Sequence, residues 1–182
     1  MTKSLFDDQL KTVADEFSKV LNNMIPLVSD MDYRSDFLLS KILYFTSNFG
    51  KASPKRSLIK TALALEILKV AIDIGSISQN EDSFSDDRLL STDYLFAEAI
   101  GQVVGLNKPF IVSILAKSIA NTAANRASDN DDNPYLEHLI VASYELGTRL
   151  GECDGEVDIS ELLSVSELRG KKYIKRSMEL IY

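Results

Sequence analysis

Two acidic clusters hold the side chains in this sequence best suited to chemistry. One spans Glu81 to Asp87 and the other spans Asp129 to Asp132. Carboxylate oxygens are the ligands that Mg²⁺ and Ca²⁺ prefer, so each cluster is a candidate metal site. Neither has the spacing of an EF-hand loop, and acidic runs of this kind also occur as solvated loops. The sequence leaves both interpretations open.

The single histidine and the single cysteine limit nucleophilic chemistry. His138 lies on a predicted helix, where a packed or partly exposed imidazole is the ordinary interpretation, and any Ser-His or Cys-His pair would need it. Cys153 stands between Glu152 and Asp154, whose carboxylates disfavour the reactive thiolate. A lone cysteine also excludes an internal disulfide and is typical of a reducing compartment.

The composition is that of an ordinary globular protein. The chain has 182 residues, of which 45% are hydrophobic and 26% are charged, enough for one domain with a sizeable core. A net charge of −7 argues against general nucleic-acid binding, which needs clustered Lys and Arg. Without a signal-peptide pattern or a membrane-length apolar run, the expected location is cytoplasmic.

Helical periodicity dominates the sequence, and no stretch has a convincing strand pattern. Apolar residues recur at spacings of three and four, which predicts helices over these ranges: Phe6 to Leu27, Tyr33 to Phe49, Leu58 to Ile77, Leu89 to Val104, Phe110 to Ala127 and Tyr135 to Leu150. Leu58 to Ile77 is apolar nearly all round, as in a buried central helix. We therefore predict an all-α bundle of seven or eight helices.

The chain divides into a helical domain, residues 1–158, and a basic amphipathic tail, residues 159–182. The tail interleaves Lys and Arg with apolar residues and is expected to be helical. Such a helix either rests on an anionic membrane surface or packs its apolar face on the domain or on a partner. Packing is the more common arrangement, and peripheral membrane contact stays open.

One helical stretch resembles part of a known enzyme family. Ala64 to Gly75 (A-L-E-I-L-K-V-A-I-D-I-G) resembles the helix that precedes the first aspartate-rich motif of trans-polyprenyl diphosphate synthases, A-x-E-x-I-H-x-A-S-L-x-H-D-D-x-x-D. Aligned without a gap, the D-D-x-x-D positions are occupied by Ser76, Ile77, Ser78, Gln79 and Asn80. None of the three aspartates is present, so the catalytic motif is degenerate.

Two further stretches resemble the same family in the same order. Leu89 to Ile100 (L-L-S-T-D-Y-L-F-A-E-A-I) is similar to L-A-G-D-Y-L-F-A-x-A, which begins the next long helix and would place Asp93 near its start. Tyr135 to Glu137 and Ser143 to Gly151 resemble the two ends of Y-L-E-x-I-x-x-K-T-A-x-x-F-x-x-A-C-E-L-G. About seven residues between them, two helical turns that include the Lys-Thr pair, are missing.

The departures from the family affect its substrate-binding groups. The basic G-G-K-R-x-R-P motif has no counterpart, the paired arginines are reduced at most to Arg88, and no second aspartate-rich motif appears. The resemblance covers roughly residues 35–151 and implies a truncated isoprenoid-synthase-like helical bundle. Mg²⁺ needs charged oxygen ligands, which the neutral side chains at positions 76–80 do not supply.

The resemblance implies a non-catalytic small subunit, most like that of the two-component hexaprenyl or heptaprenyl diphosphate synthases of isoprenoid biosynthesis. A full-length prenyl diphosphate synthase would be the partner and would hold the Mg²⁺, and this chain would carry no cofactor. Docking would use the two helices Leu89–Val104 and Phe110–Ala127. The expected interface residues are Tyr94, Phe96, Phe110 and Ile114.

Two other interpretations remain. A diverged prenyltransferase could bind its metal at the acidic loops, and a helical interaction module could simply self-associate as a homodimer. The sequence does not choose the product chain length.

Overall fold

The part of the chain that the structure describes is helical, and none of it forms a strand. The structure, a computed structural model, describes residues 3–24, 36–47, 55–77, 86–126 and 134–152. The helices in these ranges are α1 (Lys3–Met24), α2 (Leu38–Thr46), α3 (Lys55–Ile77), α4 (Asp86–Val104), α5 (Pro109–Arg126) and α6 (Pro134–Gly151). The predicted all-α class is confirmed for these residues, and the tail 159–182 lies outside them.

The central helix is α3, as its uniformly apolar sequence predicts. Every side chain from Thr61 to Leu68 is buried, and α3 packs against α1, α2, α4 and α6. A helix at the surface keeps one polar face in water, so burial all round requires neighbours on every side. Buried side chains from all the described helices join those of α3 in one hydrophobic cluster.

A buried carboxylate on α3 fixes the start of α2. Glu66 is 0% exposed and accepts hydrogen bonds from the Ser40 backbone N–H at 2.9 Å and the Ser40 hydroxyl at 2.8 Å. Ser40 is the third residue of α2, and its N–H has no acceptor within the helix. Glu66 therefore joins the two helices.

A second contact, one turn further along α3, supports the same joint. The Lys69 ammonium lies 3.5 Å from the Asp36 carboxylate. The same carboxylate oxygen of Asp36 accepts a hydrogen bond from the Leu38 N–H at 3.2 Å. Residues 66 and 69 lie on the same face of α3 because helical positions three apart are neighbours.

The predicted helix from Tyr33 to Phe49 is longer than the helix observed in the described residues. Phe37 has a φ of 52°, in the left-handed region, so α2 begins only at the next residue, Leu38. The Phe37 ring packs edge-on against Phe17 of α1, with ring centroids 5.7 Å apart. This contact offsets part of the backbone strain at Phe37. At the other end, Ser47 already lies beyond the helix.

Two glycines of α6 allow a close approach to α2. A Cβ atom at Gly147 would lie 2.8 Å from the Leu43 carbonyl oxygen and would overlap the Thr46 hydroxyl. A Cβ atom at Gly151 would lie 2.7 Å from the Ser47 backbone. The four-residue spacing puts both glycines on one face of α6. Helix α2 is therefore held by α3 through Glu66 and by α6 through these glycines.

Helices α4 and α5 complete the described bundle. Helix α4 packs mainly on α3, and α5 packs mainly on α6. The α4–α5 turn places Asn107 at a φ of 54°, which asparagine tolerates. Because α4 begins at Asp86, Asp93 lies two turns inside the helix rather than near its start. No described helix combines the length and the hydropathy that a membrane crossing requires.

We predict that Glu66→Ala destabilises the fold by about 2–4 kcal/mol, because it leaves the buried Ser40 N–H unpaired and opens a cavity. Glu66→Gln retains an acceptor oxygen and should cost less. Urea denaturation followed by far-UV circular dichroism measures both changes. Glu16→Ala, which removes an exposed carboxylate paired with Lys19 on α1, is the control with little expected effect. If Glu66→Ala and Glu16→Ala lowered the free energy of unfolding equally, the hydrogen bonds from Ser40 to Glu66 would not be what joins α2 to α3.

A pair of glycine substitutions tests the α2–α6 contact. Gly147→Ala should lower the free energy of unfolding by about 1–3 kcal/mol, since the added methyl group overlaps α2. Gly101→Ala in α4, where a Cβ atom would meet nothing within 4 Å, should raise it by about 0.5–1 kcal/mol through helix propensity. Denaturant titration of both variants gives the comparison, and an increase in the free energy of unfolding for both would show that the α2–α6 approach is not tight.

Candidate partner-binding surface

The positions that align with the family's aspartate-rich motif, 76–80, begin in the last turn of the central helix. Ser76 and Ile77 are the final residues of α3, and positions 78–80 lie outside the described residues. The acidic cluster 129–132 also lies outside them, and of the cluster 81–87 only the start of α4 is described. Within the described ranges, no three His, Cys, Asp or Glu side chains converge as metal ligands would.

Helix α4 carries two apolar faces, and the described residues cover only one of them. The covered face packs on α3 through Ser91, Leu95, Ala99 and Val103, which are all buried. The opposite face is exposed and is here named the outer stripe. The outer stripe consists of Leu90, Tyr94, Ala97, Gly101 and Val104.

The outer stripe exposes large hydrophobic side chains to water. Leu90 is 56% exposed, Tyr94 is 40% exposed and Val104 is 59% exposed. Its residues recur at spacings of four, three, four and three, the pattern of a seam along which two helices pair. From Leu90 to Val104 the stripe is about 21 Å long at 1.5 Å per residue. Contiguous apolar surface of this kind marks an interaction site more often than scattered exposed residues do.

The charged side chains that α4 itself places beside the outer stripe are acidic, and Lys60 of α3 reaches one of them through Gln102. Asp93 is exposed on one flank, and Glu98 lies half-buried on the other, hydrogen-bonded to Gln102. The Lys60 ammonium of α3 in turn donates to the Gln102 side chain. From Leu89 to Asn107 the sequence contains no Lys or Arg. The surface therefore combines an apolar centre with a negative rim.

The expected interface residues lie in different environments. Tyr94 belongs to the outer stripe, whereas Phe96 on the same helix is half-buried against the core. Ile114 of α5 is buried, at 7% exposure, and Phe110 is half-buried. The Lys108 ammonium and the Arg149 guanidinium each lie within 6 Å of the Phe110 ring centre, at 5.8 and 5.9 Å.

Four residues of the outer stripe, Leu90, Ala97, Gly101 and Val104, were not among the expected interface residues. The sequence does contain a signal for these residues, because the apolar residues of α4 fall on two different faces of the helix. A helix in which both faces are apolar is either buried on all sides or paired with something beyond its own domain. Sequence periodicity alone does not distinguish these cases.

A separate groove lies between α5 and α6. Its volume is about 230 Å³, and its lining combines an apolar floor with polar side chains. The lining residues are Ile114, Lys117, Ser118, Asn121, His138, Val141, Ala142 and Glu145. The Glu145 carboxylate is paired with Arg149 at 2.9 Å. The groove is thus a mixed cleft in which His138 occupies one wall.

Burial governs the chemistry of His138. It lowers the pKa of the imidazole below its ordinary value, and the neighbouring Glu137 carboxylate opposes this shift only partly. The neutral imidazole is therefore the favoured form near neutral pH.

The lowered pKa of His138 predicts a specific pH dependence of stability. Below the ordinary value of 6.5 the unfolded chain binds a proton that the folded chain resists, so the free energy of unfolding falls as the pH drops through that value toward the lowered pKa. Above pH 7 the histidine contributes no pH dependence. In His138→Gln, the free energy of unfolding should change less with pH between about pH 7.5 and 5.5, as measured by urea denaturation. Identical slopes for the two proteins would contradict the assignment.

No protein-family model, curated protein or solved structure matches this chain. The resemblance to the polyprenyl diphosphate synthases therefore depends on the three residue patterns alone. The structure adds an observation that does not depend on these patterns. One face of α4 is apolar, exposed and edged by acidic side chains, whereas its other face is packed in the core.

Proposed function

We propose that this chain is a non-catalytic subunit of a polyprenyl diphosphate synthase and that it binds a full-length catalytic subunit through the outer stripe of α4. The observation that carries the proposal is the exposure of this stripe, because its first three residues, Leu90, Tyr94 and Ala97, lie in the segment Leu89 to Ile100 that resembles the family. Burying Leu90, Tyr94 and Val104 against a partner would remove large apolar side chains from water, each worth about 1.5–3 kcal/mol when fully buried.

The missing aspartates support a division of labour. Ionisation of an allylic diphosphate requires metal ions and basic groups to stabilise the leaving diphosphate. The positions that align with the family's aspartates are Ser76, Ile77 and Asn80, which are neutral. The catalytic subunit would therefore supply Mg²⁺ and its ligands, and this chain would act through contact.

The packing behind α4 suits a subunit that acts by contact. Leu95, Ala99 and Val103 anchor the inner face of α4 in the core shared with α3. Because close-packed cores have low compressibility, α4 should keep its position when a partner binds to the outer stripe. A rigid face of this kind would stabilise the partner's elongation pocket and so influence the chain length of the product.

The first experiment mixes this chain with the full-length prenyl diphosphate synthase of the same source. We expect light scattering to show a heterodimer, and Mg²⁺-dependent prenyl transfer to yield a different product length when the chain is present. The chain alone should make no prenyl diphosphate. Turnover by the isolated chain with Mg²⁺ would favour the diverged transferase, and a stable homodimer without affinity for the synthase would favour the self-associating module.

Two leucine variants test the assigned surface. Leu90→Ser should weaken the heterodimer about tenfold or more, because it removes a side chain that the partner would bury. Leu89→Ser is the matched control, since it makes the same change at the neighbouring position, which is 47% exposed but lies off the outer stripe. Equal effects of the two substitutions on the dissociation constant would remove the outer stripe from the interface.

A further inference from the structure

A glycine near the end of α4 has no role within the described fold. Gly101 is followed by three more residues of the helix, and glycine is less favourable than alanine within a helix. A Cβ atom there would meet nothing within 4 Å, and its φ is not in the left-handed region. By contrast, Gly147 and Gly151 are required by the approach of α2. A different explanation is needed for Gly101.

The position of Gly101 within the outer stripe supplies an explanation. It lies one turn after Ala97, and both are exposed. Leu90 and Tyr94 stand before this pair along the stripe, and Val104 follows it. The side chains of the stripe are therefore small at its centre and larger at both ends. Small residues at such a crossing point let two helix backbones approach closely, as the α2–α6 contact shows within this chain.

The charges of the rim select the kind of helix that fits. Asp93 is exposed beside the crossing point, and α4 has no Lys or Arg between Leu89 and Val104 to balance it. On the other side, Glu98 is linked through Gln102 to Lys60 of α3. A second copy of this chain would bring the same acidic α4 and no basic side chain from it. A helix with an apolar face edged by Lys or Arg would complement both the stripe and its rim.

We infer that the outer stripe receives a partner helix that crosses α4 at Ala97 and Gly101 and carries Lys or Arg beside its apolar face. This inference rests on the proposed role of α4 as the partner-binding helix. It specifies the contact further, because close approach of the two backbones sets the crossing point and the acidic rim sets the sign of the partner's charge.

The test uses peptides, so that it does not depend on the identity of the partner. Two stapled helical peptides of about five turns share one leucine-rich face, flanked in one peptide by Lys and in the other by Glu. Fluorescence anisotropy measures the binding of each to the full chain. We expect the Lys-flanked peptide to bind about tenfold more tightly at low ionic strength, and the difference to narrow at high salt. Equal binding of the two peptides, or binding of neither, would overturn the inference.

Gly101→Leu tests the crossing point. Its side chain has room in the free chain but blocks the close approach, so binding of the Lys-flanked peptide should weaken about tenfold or more. Ser18→Leu, the same enlargement at an exposed position of α1, is the control and should bind like the unaltered chain. Thermal unfolding verifies that both variants are folded. Unchanged binding by Gly101→Leu would place the crossing elsewhere.

The two proposals fail separately. Peptide binding that depends on Gly101, without any complex with the prenyl diphosphate synthase, would preserve the helix-docking inference and remove the proposed function. A heterodimer with the synthase that Gly101→Leu leaves intact would preserve the function and remove the crossing point.

Discussion

The buried Glu66 carboxylate is the constraint on which the arrangement of the helices depends. A charge in an apolar interior is costly unless hydrogen bonds satisfy it, and Ser40 donates two of them. The start of α2 is thereby fixed beside α3. Helix α6 can then reach α2 only because Gly147 and Gly151 leave room for the backbone. Since α5 packs on α6, one buried carboxylate orders a succession of helices.

Within the described part of the chain, one face of α4 is uncovered. Helices α1, α2 and α6 occupy other sides of α3, and α4 packs mainly on the side that remains. Its inner residues complete the core, while its outer residues Leu90, Tyr94 and Val104 meet water. Association through a pre-formed helix requires little additional ordering of the chain, which favours binding. The described helices thus present a pre-formed apolar surface on α4, in addition to the groove between α5 and α6.

The stretch that resembles the prenyl synthases has a packing role that needs no metal. Within it, Glu66 caps α2 and Lys69 pairs with Asp36. The helix that would present an aspartate-rich motif therefore serves as the central support of the bundle, whatever follows Ile77. This is compatible with the proposed division of labour, in which catalysis belongs to the partner and this chain contributes a stable surface.

The sequence by itself determined where the helices lie and which of them is central. Apolar periodicity is a local property, so the uniform apolarity of Leu58 to Ile77 was sufficient to identify the buried helix. Only the tertiary structure decided which face of α4 is covered and that α2 begins after Phe37. It also separated Gly101 from Gly147, both helical glycines in sequence, because only the neighbouring helix shows whether a side chain would fit. Contacts between helices depend on residues far apart in the chain, and hydrophobic spacing along one helix does not record them.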